Sequence, residues 1–220
     1  MRKEIIQTKD GSNTLFVPEL NETYHSTNGA LQESLHVFIK EGLLYRNLKN
    51  IKILEVGFGS GLNALTTFVS AADSGLRVNY TSLEAYPLEW DSVAKLNFTE
   101  LEGMRKHHDV FRKMHSCSWG KKAPISVNFS LMKLNLKLQD ITFENAFDLI
   151  YFDAFAPQIQ PELWTNEIFH LVYKSLRSKG VLVTYCAKGS VKRSLKAVGF
   201  ELQSIPGPPG KREMSRAVKK

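Results

Sequence analysis

The residues best suited to chemistry begin at Glu55, which is followed by glycines at every second position, Gly57, Gly59 and Gly61. An apolar run precedes this turn, and an apolar pattern of helical spacing follows it. Glycine allows backbone angles that side chains forbid and lets a ligand approach the main chain. The first amides of a helix have no partner within the helix and can face that ligand. Residues 51–63 therefore predict a strand, a tight turn and a helix that hold a cofactor.

The spacing of the glycines indicates which cofactor this turn suits. A dinucleotide fingerprint has glycine at the first, third and sixth positions, and the sixth position counted from Gly57 is Leu62. A nicotinamide cofactor is therefore disfavoured. The carboxylate of Glu55 disfavours a pyrophosphate but attracts a cation, and S-adenosylmethionine carries a sulfonium and an ammonium group. The order E-x-G-x-G-x-G resembles the first motif of S-adenosylmethionine-dependent methyltransferases. A glycine-rich turn without a ligand is the alternative that this pattern alone leaves open.

Two further acids follow predicted strands. Glu84 ends an alternating strand over 77–83, where an acid can accept hydrogen bonds from ribose hydroxyls. Asp153 follows the buried run FDLIYF and should lie in the crevice at the carboxyl ends of the strands. Phe155 offers an aromatic face beside it, and Pro157 stiffens the loop. The structural alternatives are a surface or capping carboxylate at Glu84 and capping of the next helix by Asp153.

The segment between these acids is less regular. Residues 125–138 alternate in polarity and predict one or two strands, after which Asp140 is placed to meet an adenine amino group. Residues 105–115 are rich in Lys, Arg and His. Adjacent histidines on one helix cannot face one ion, so we predict no metal site there. A helix is predicted over 161–176 from its apolar spacing.

Alternating strands and helices indicate an α/β fold of the Rossmann-like class I methyltransferase type, a mainly parallel sheet with helices on both faces. We predict a single methyltransferase domain over 1–220, with a core at 51–220 and a hairpin and helix at 1–50 that cover the cofactor. The chain has no apolar run of membrane-spanning length and no signal-peptide pattern, so a cytoplasmic protein without membrane contact is expected. Its two cysteines lack the spacing of a disulfide framework or zinc site.

The positive charge of the chain is concentrated at one end. The net charge is +7, and residues 185–220 hold nine Lys and Arg against two Glu. The preceding residues are therefore neutral as a group. Such a basic end suits contact with a polyanion, since Lys and Arg supply most non-specific affinity for nucleic acid. A basic surface that only faces solvent is the alternative on composition alone.

Several segments together resemble one family, the methyltransferase half of the bifunctional tRNA 5-methylaminomethyl-2-thiouridine biosynthesis enzyme, which also exists as a stand-alone protein. The glycine motif is generic, whereas the later segments are more specific. The matching segments are YHSTNGALQES, ILEVGFGSGLN, SLEAYPL, YFDAFAPQIQPELWT, VLVTYCAKGSVKRSLKAVGF and GKREM. Only six residues follow Met214. We therefore expect the flavin-binding oxidase half of that enzyme to be absent, together with its removal of a carboxymethyl group.

The resemblance implies methyl transfer from S-adenosylmethionine to the amine of 5-aminomethyl-(2-thio)uridine at wobble position 34 in the anticodon loop of tRNA. Upstream wobble-uridine modification enzymes would supply that amine, and neither flavin nor metal is expected. By the family pattern Asp153 is the catalytic residue that faces the amine. The residues expected at the cofactor are Tyr24, Gly29, Glu33, Glu55, Gly57, Gly59, Gly61, Asn63, Glu84 and Asp140. Those expected at the substrate are Phe155, Pro157, Lys188, Lys192, Arg193, Lys211 and Arg212.

Two other functions stay open at this point. A methyltransferase acting on a small amine would work without tRNA and depend little on salt. A non-catalytic nucleic-acid-binding module would keep the fold without the chemistry, which the presence of Glu55, Glu84 and Asp153 argues against.

Overall fold

The computed structural model describes residues 1–220. The strands are β1 (Glu4–Gln7), β2 (Asn13–Val17), β3 (Glu22–Thr23), β4 (Asn50–Val56), β5 (Arg77–Leu83), β6 (Lys122–Ser126), β7 (Phe129–Leu134), β8 (Phe147–Phe152), β9 (Leu176–Thr184), β10 (Phe200–Pro206) and β11 (Glu213–Lys219). The helices are α1 (residues 30–43), α2 (Leu62–Ser74), α3 (Trp90–Val93), α4 (His108–Ser116), α5 (Asn166–Ser175) and α6 (Gly189–Ala197).

Eight of the strands form one sheet in the order β10-β11-β9-β8-β4-β5-β7-β6. The five central strands, β9, β8, β4, β5 and β7, pair in parallel. The strands at both edges pair antiparallel. The strand order reverses direction around β4, and the crevice at the carboxyl ends there is where open α/β sheets bind ligands.

Helices cover both faces of this sheet, because successive residues of a strand point to opposite sides. In β4, Ile53 packs in a core that includes Phe38 of α1 and Phe68 of α2. Its neighbour Leu54 packs in a second core that includes Phe169 of α5. The predicted Rossmann-like α/β fold with a mainly parallel sheet is thus confirmed.

The N-terminal segment adds a small sheet and a helix to this core. β1, β2 and β3 form a separate antiparallel sheet. Helix α1 begins at Ala30 and widens into π-helical geometry over Ser34–Leu43. A Cβ atom at Gly42 would lie 3.0 Å from a methyl group of Val183 in β9. The absence of a side chain at this position therefore lets α1 pack directly on the sheet.

The helix predicted over 161–176 is shorter than its apolar spacing suggested. Pro161 begins a separate 3₁₀ turn that ends at Leu163, and α5 starts only at Asn166. The Thr165 hydroxyl caps α5 by accepting a hydrogen bond from the backbone N–H of Ile168 at 3.4 Å. No helix in the structure combines the length and apolar character that crossing a membrane requires.

Candidate cofactor and substrate site

A cavity of about 1120 Å³ opens at the carboxyl ends of the central strands. Its wall combines the glycine turn, the loops that follow β5, β7, β8 and β9, part of the N-terminal segment and the loop before β11. The lining segments include 22–26, 56–60, 83–86, 136–139, 153–160, 185–188 and 211–213. Seven separate segments of the chain therefore converge on one volume, in the crevice that the sheet topology predicts.

The glycine turn is held in a conformation that needs glycine. Gly57, Gly59 and Gly61 have φ angles of 90°, 48° and 77°. A Cβ atom at Gly57 would lie 3.0 Å from the Asp153 carbonyl oxygen, and one at Gly61 would lie 2.6 Å from His115 Nε2. Gly57 and Gly59 line the cavity, whereas Gly61 is buried behind it. Gly61 thus shapes the start of α2 and does not form the cavity wall.

Glu84 is fixed at the end of β5 beside this turn. Its Oε2 accepts a hydrogen bond from Gly59 N–H at 2.9 Å, and its Oε1 accepts one from Tyr86 N–H at 2.8 Å. Each carboxylate oxygen keeps lone-pair capacity for a further donor. Glu84 lines the cavity and can therefore accept hydrogen bonds from the hydroxyl groups of a ligand while it holds the glycine turn.

Glu55 does not reach the cavity, which corrects its predicted direct contact with a cationic cofactor. Its side chain is fully buried beneath the turn, because β4 register places it between Ser82 and Tyr151. Ser82 Oγ donates a hydrogen bond to Oε2 at 2.6 Å, and Oε1 has no partner. Burial raises the pKa of Glu55 to about 8. Glu55 therefore lies below the glycine turn and joins β4 to β5 through its hydrogen bond with Ser82.

Asp153 lies where β8 ends and is exposed to the cavity. Its Oδ2 accepts a hydrogen bond from Asn63 Nδ2 at 2.8 Å, and no protein group donates to Oδ1. Burial and the negative charge of Glu33 raise the pKa of Asp153 to about 7, against the lowering effects of Asn63 and the Lys211 ammonium. A carboxyl group with this pKa can both give and accept a proton near neutral pH.

An ion pair stands beside Asp153. Lys211 Nζ lies 2.6 Å from Glu33 Oε1, and Glu33 Oε2 accepts the Ser26 backbone N–H at 3.0 Å. The same ammonium lies 3.9 Å from the ring centre of Tyr185. Sequence reasoning placed Lys211 among the substrate-binding residues, and the structure pairs it with Glu33 inside the cavity wall. The pocket around Asp153 thus holds two carboxylates and one ammonium.

The loop after Asp153 presents a fixed aromatic ring. Phe155 N–H donates to Gln160 Oε1 at 3.0 Å, and its carbonyl accepts Trp164 Nε1–H at 2.9 Å. The Phe155 ring meets Tyr24 edge to face with centroids 5.2 Å apart. Both rings and Pro157 line the cavity. The backbone clamp on both sides of Phe155 holds this ring in place.

Several predicted site residues lie outside the cavity wall. Asp140 is exposed and does not line the cavity, whereas its neighbours Leu138 and Gln139 do. These three residues form a 3₁₀ turn. Gly29 is buried against Asp10, where a Cβ would lie 2.7 Å from Oδ2. Its absence of a side chain serves the packing of the N-terminal loop.

The predicted basic residues divide into two groups. Lys188 and Arg212 line the cavity mouth, where Lys188 donates to Gln158 and the Arg212 side chain is 95% exposed. Lys192 and Arg193 on α6 do not line it, and Lys192 is paired with Glu213 at 2.5 Å. Glu213 itself lines the cavity, so Lys192 meets the cavity wall only through its ion-pair partner.

Sequence reasoning missed many residues of the cavity wall, among them Tyr185, Tyr86 and Gln160. Tyr185 follows β9 and donates its hydroxyl to the Ala154 carbonyl at 2.9 Å. Tyr86 is 71% exposed at the rim, and Gln160 holds Phe155. The position of Tyr185 after a strand end was the available signal. The structure brings together no group of three His, Cys, Asp or Glu side chains that could hold a metal ion.

These features define the class of the protein. A glycine turn that a Cβ would fill and an acid at the end of the next strand fit a nucleoside cofactor. A family described as S-adenosyl-L-methionine-dependent methyltransferase matches residues 102–220. The chain belongs to this family, and S-adenosylmethionine is its methyl donor. Gly57, Gly59 and Glu84, which the sequence predicted at the cofactor, line the cavity.

Known proteins resemble the chain over nearly all of its length. It is 29% identical over 97% of its residues to the tRNA 5-methylaminomethyl-2-thiouridine biosynthesis bifunctional protein MnmC of Cupriavidus metallidurans. It is 32% identical over 89% to the protein of that name from Leptospira interrogans. The chain spans about a third of the length of these curated relatives, 33% and 32%.

Solved structures agree with this assignment. The crystal structure of MnmC2 from Aquifex aeolicus matches with a TM-score of 0.82 at 30% identity and covers 100% of this chain and 70% of the other. Spermidine synthase from Thermotoga maritima matches with a TM-score of 0.57 at 15% identity, covering 99% of this chain and 72% of the other. The second likeness concerns the fold alone.

Proposed function

We propose that the chain methylates the amine of 5-aminomethyl-(2-thio)uridine at wobble position 34 of tRNA, giving 5-methylaminomethyl-(2-thio)uridine. The observation that carries this proposal is the Asp153 carboxylate, which faces the cavity with Oδ1 free and the Phe155 ring beside it. The names of the relatives from Cupriavidus and Leptospira support the nucleoside and the tRNA. A chain with this substrate would work in the cytoplasm, after enzymes that install the aminomethyl group.

The acidic pocket suits a substrate that arrives as an ammonium ion. Asp153 and Glu33 bring two carboxylates, and Lys211 neutralises one of them at 2.6 Å. The uncompensated charge therefore favours a cationic group at Asp153. Only a neutral amine attacks a methyl carbon, so one proton must leave before the reaction. Asp153 is the acceptor for that proton because its pKa of about 7 lies near the working pH.

S-adenosylmethionine, when bound, supplies an electrophilic methyl group on a sulfonium centre. The substrate nitrogen forms a bond to the methyl carbon as the carbon–sulfur bond breaks, and the bond's electron pair stays on sulfur. Asp153 Oδ1 holds an N–H of the amine, which aligns the nitrogen lone pair with the methyl carbon. Most of the rate gain in such a transfer comes from this positioning. The proton that Asp153 took from the substrate ammonium passes on to solvent, which leaves Oδ1 ionised to hold the N–H, and the product leaves as a secondary ammonium.

The wall and rim of the cavity suit a nucleotide of an RNA loop. Phe155 offers a fixed ring face on which a base splayed out of the anticodon loop can stack. The exposed Tyr86 offers another ring at the rim. Lys188 and Arg212 at the mouth are the basic residues best placed for phosphate contacts. Lys192 and Arg193 are less well placed because they lie outside the mouth.

The proposal is tested by methyl incorporation from labelled S-adenosylmethionine into three acceptors: tRNA bearing 5-aminomethyluridine, the same tRNA with unmodified uridine, and free 5-aminomethyluridine. Label should enter the first acceptor alone at low protein concentration, with a rate that falls as salt rises. Label in the free nucleoside at an equal kcat/KM would establish a small-amine methyltransferase. Label in unmodified tRNA would contradict the proposed amine acceptor.

A further inference from the structure

A buried line of polar side chains leads from the first helix to Asp153. Ser34 Oγ donates a hydrogen bond to Asn63 Oδ1 at 2.7 Å, and Asn63 Nδ2 donates to Asp153 Oδ2 at 2.8 Å. Thr66 Oγ1 lies 2.8 Å from Ser34 Oγ. Ser34, Asn63 and Thr66 are 2%, 4% and 0% exposed, so solvent does not compete for these bonds.

The hydrogen bonds of this line have one direction. A hydroxyl group has one hydrogen, so Ser34 cannot donate to both Asn63 and Thr66. Because Asn63 Oδ1 is only an acceptor, Ser34 donates to it and cannot also donate to Thr66, whose hydroxyl lies 3.1 Å from the Leu62 and Asn63 carbonyl oxygens. Ser34 thereby fixes the amide with its oxygen toward α1 and its NH₂ group toward Asp153. A reversed amide would set its oxygen against the carboxylate.

We propose that Asn63 is a positioning residue for Asp153, and that Ser34 acts through Asn63 to keep the carboxylate in the acceptor state with Oδ1 toward the substrate amine. The inference rests on the proposed methyl transfer to an amine. It gives Asn63 a different role from the cofactor contact expected from its place after the glycine turn. It also gives α1 a positioning role, since Glu33 acts on the charge of Asp153 and the adjacent Ser34 holds the Asn63 amide.

The hydrogen bond from Asn63 lowers the pKa of Asp153, against the effect of the negative charge of Glu33. Glu33 raises the pKa of Asp153, whereas the Asn63 hydrogen bond and the Lys211 ammonium lower it; Tyr185 and Glu55 also lie near enough to interact with its charge. Loss of the Asn63 bond leaves the negative form with one donor fewer. The carboxyl group then takes up its proton at higher pH, and the acidic limb of the activity profile moves in the same direction.

The test compares Ser34→Ala with Thr67→Val, since each removes one buried hydroxyl from the same region. Thr67 is 0% exposed and donates to the Asn63 backbone carbonyl at 2.6 Å, outside the line that reaches Asp153. Ser34→Ala should lower kcat on the order of tenfold, move the acidic limb to higher pH and leave cofactor affinity within about twofold of wild type. Thr67→Val should leave the limb in place.

A second variant, Asn63→Asp, has the same shape and sets another carboxylate against Asp153. It should move the limb further than Ser34→Ala does. The proposal is overturned if Ser34→Ala lowers activity without moving the acidic limb, or if Thr67→Val moves the limb equally. It is also overturned if the loss of activity in Ser34→Ala or Asn63→Asp comes from weaker S-adenosylmethionine binding. Thermal unfolding of each variant shows whether a loss of activity comes from a folding defect. If Ser34→Ala is unfolded, the shift of the acidic limb in Asn63→Asp tests the proposal in its place.

A carbon-13 NMR titration of the Asp153 carboxyl group, assigned with Asp153→Asn, measures the same effect without tRNA. Its midpoint should rise in Ser34→Ala and Asn63→Asp relative to wild type. An unchanged midpoint in both variants overturns the positioning role. If wild type fails to methylate aminomethyl tRNA but these midpoints still move, the substrate assignment is wrong and the line to Asp153 stands.

Discussion

Replacing Asp153 with asparagine keeps the shape of the side chain but reverses what it offers the substrate. The new amide oxygen can accept the Asn63 Nδ2–H that Oδ2 accepts at 2.8 Å in the wild type. The new NH₂ group then takes the place of Oδ1 and meets the N–H groups of the amine, donor against donor. Loss of a positioned proton acceptor lowers rates by about 10²–10⁴-fold. Cofactor affinity should stay unchanged, because Glu84 and the glycine turn are untouched.

The pH profile separates this effect from the titration of the substrate amine, which is the same in both proteins. Since the pKa of Asp153 is about 7, its ionised fraction falls about tenfold between pH 8 and pH 6. The wild-type rate should fall by that factor relative to Asp153→Asn, so the ratio of the two rates narrows as the pH is lowered. Single-turnover methyl transfer to aminomethyl tRNA at pH 6, 7 and 8 measures the ratio.

A matched control is Asp148→Asn, on the same strand but paired with Arg177 at 3.1 Å. The ratio of the wild-type rate to the Asp148→Asn rate should stay constant from pH 6 to 8. The reasoning fails if Asp153→Asn keeps activity within about twofold of wild type, if the ratio is flat from pH 6 to 8, or if cofactor affinity measured by calorimetry drops as much as the rate.

Three further predictions follow from the charged groups. Glu55 has a folded pKa of about 8 against an ordinary 4.5, so its burial should cost the apoprotein up to about 1.4 kcal/mol of stability per pH unit between pH 5 and 8. Urea unfolding of Glu55→Gln should show a smaller loss, with only the share of Asp153 remaining below about pH 7. Lys211→Met removes a positive charge near Asp153 and should move the acidic limb of the activity profile to higher pH, whereas Glu33→Gln should move it to lower pH. Lys188→Ala with Arg212→Ala should reduce the salt slope of tRNA binding, measured by fluorescence anisotropy, by about 0.7 for each lost phosphate contact; an unchanged slope would remove both residues from the interface.

The strand, the glycine turn and the strand-end acids were predictable because each depends on local sequence. The apolar runs set β4 and β5, and the E-x-G-x-G-x-G order fixes where the turn lies. Asp153 was predictable because a residue that follows a buried parallel strand must lie at the ligand-binding edge.

The remaining site residues depend on tertiary placement that local patterns do not contain. Glu55 has the expected spacing, but strand register turns its side chain beneath the turn. Asp140 lies six residues after the end of β7, in a short 3₁₀ turn in which Gln139 lines the cavity and Asp140 does not. Lys211 belongs to a basic run by composition, and only the packing of the last loop against α1 pairs it with Glu33.

The central claim is methyl transfer to an amine on the wobble uridine of tRNA. The most direct test is mass spectrometry of nucleosides from position 34 after the protein has acted on tRNA bearing 5-aminomethyluridine with deuterated-methyl S-adenosylmethionine. The account predicts 5-methylaminomethyluridine that carries one deuterated methyl group on the exocyclic nitrogen. Unchanged 5-aminomethyluridine in the presence of bound cofactor, or a methyl group on the ring or ribose, would contradict it.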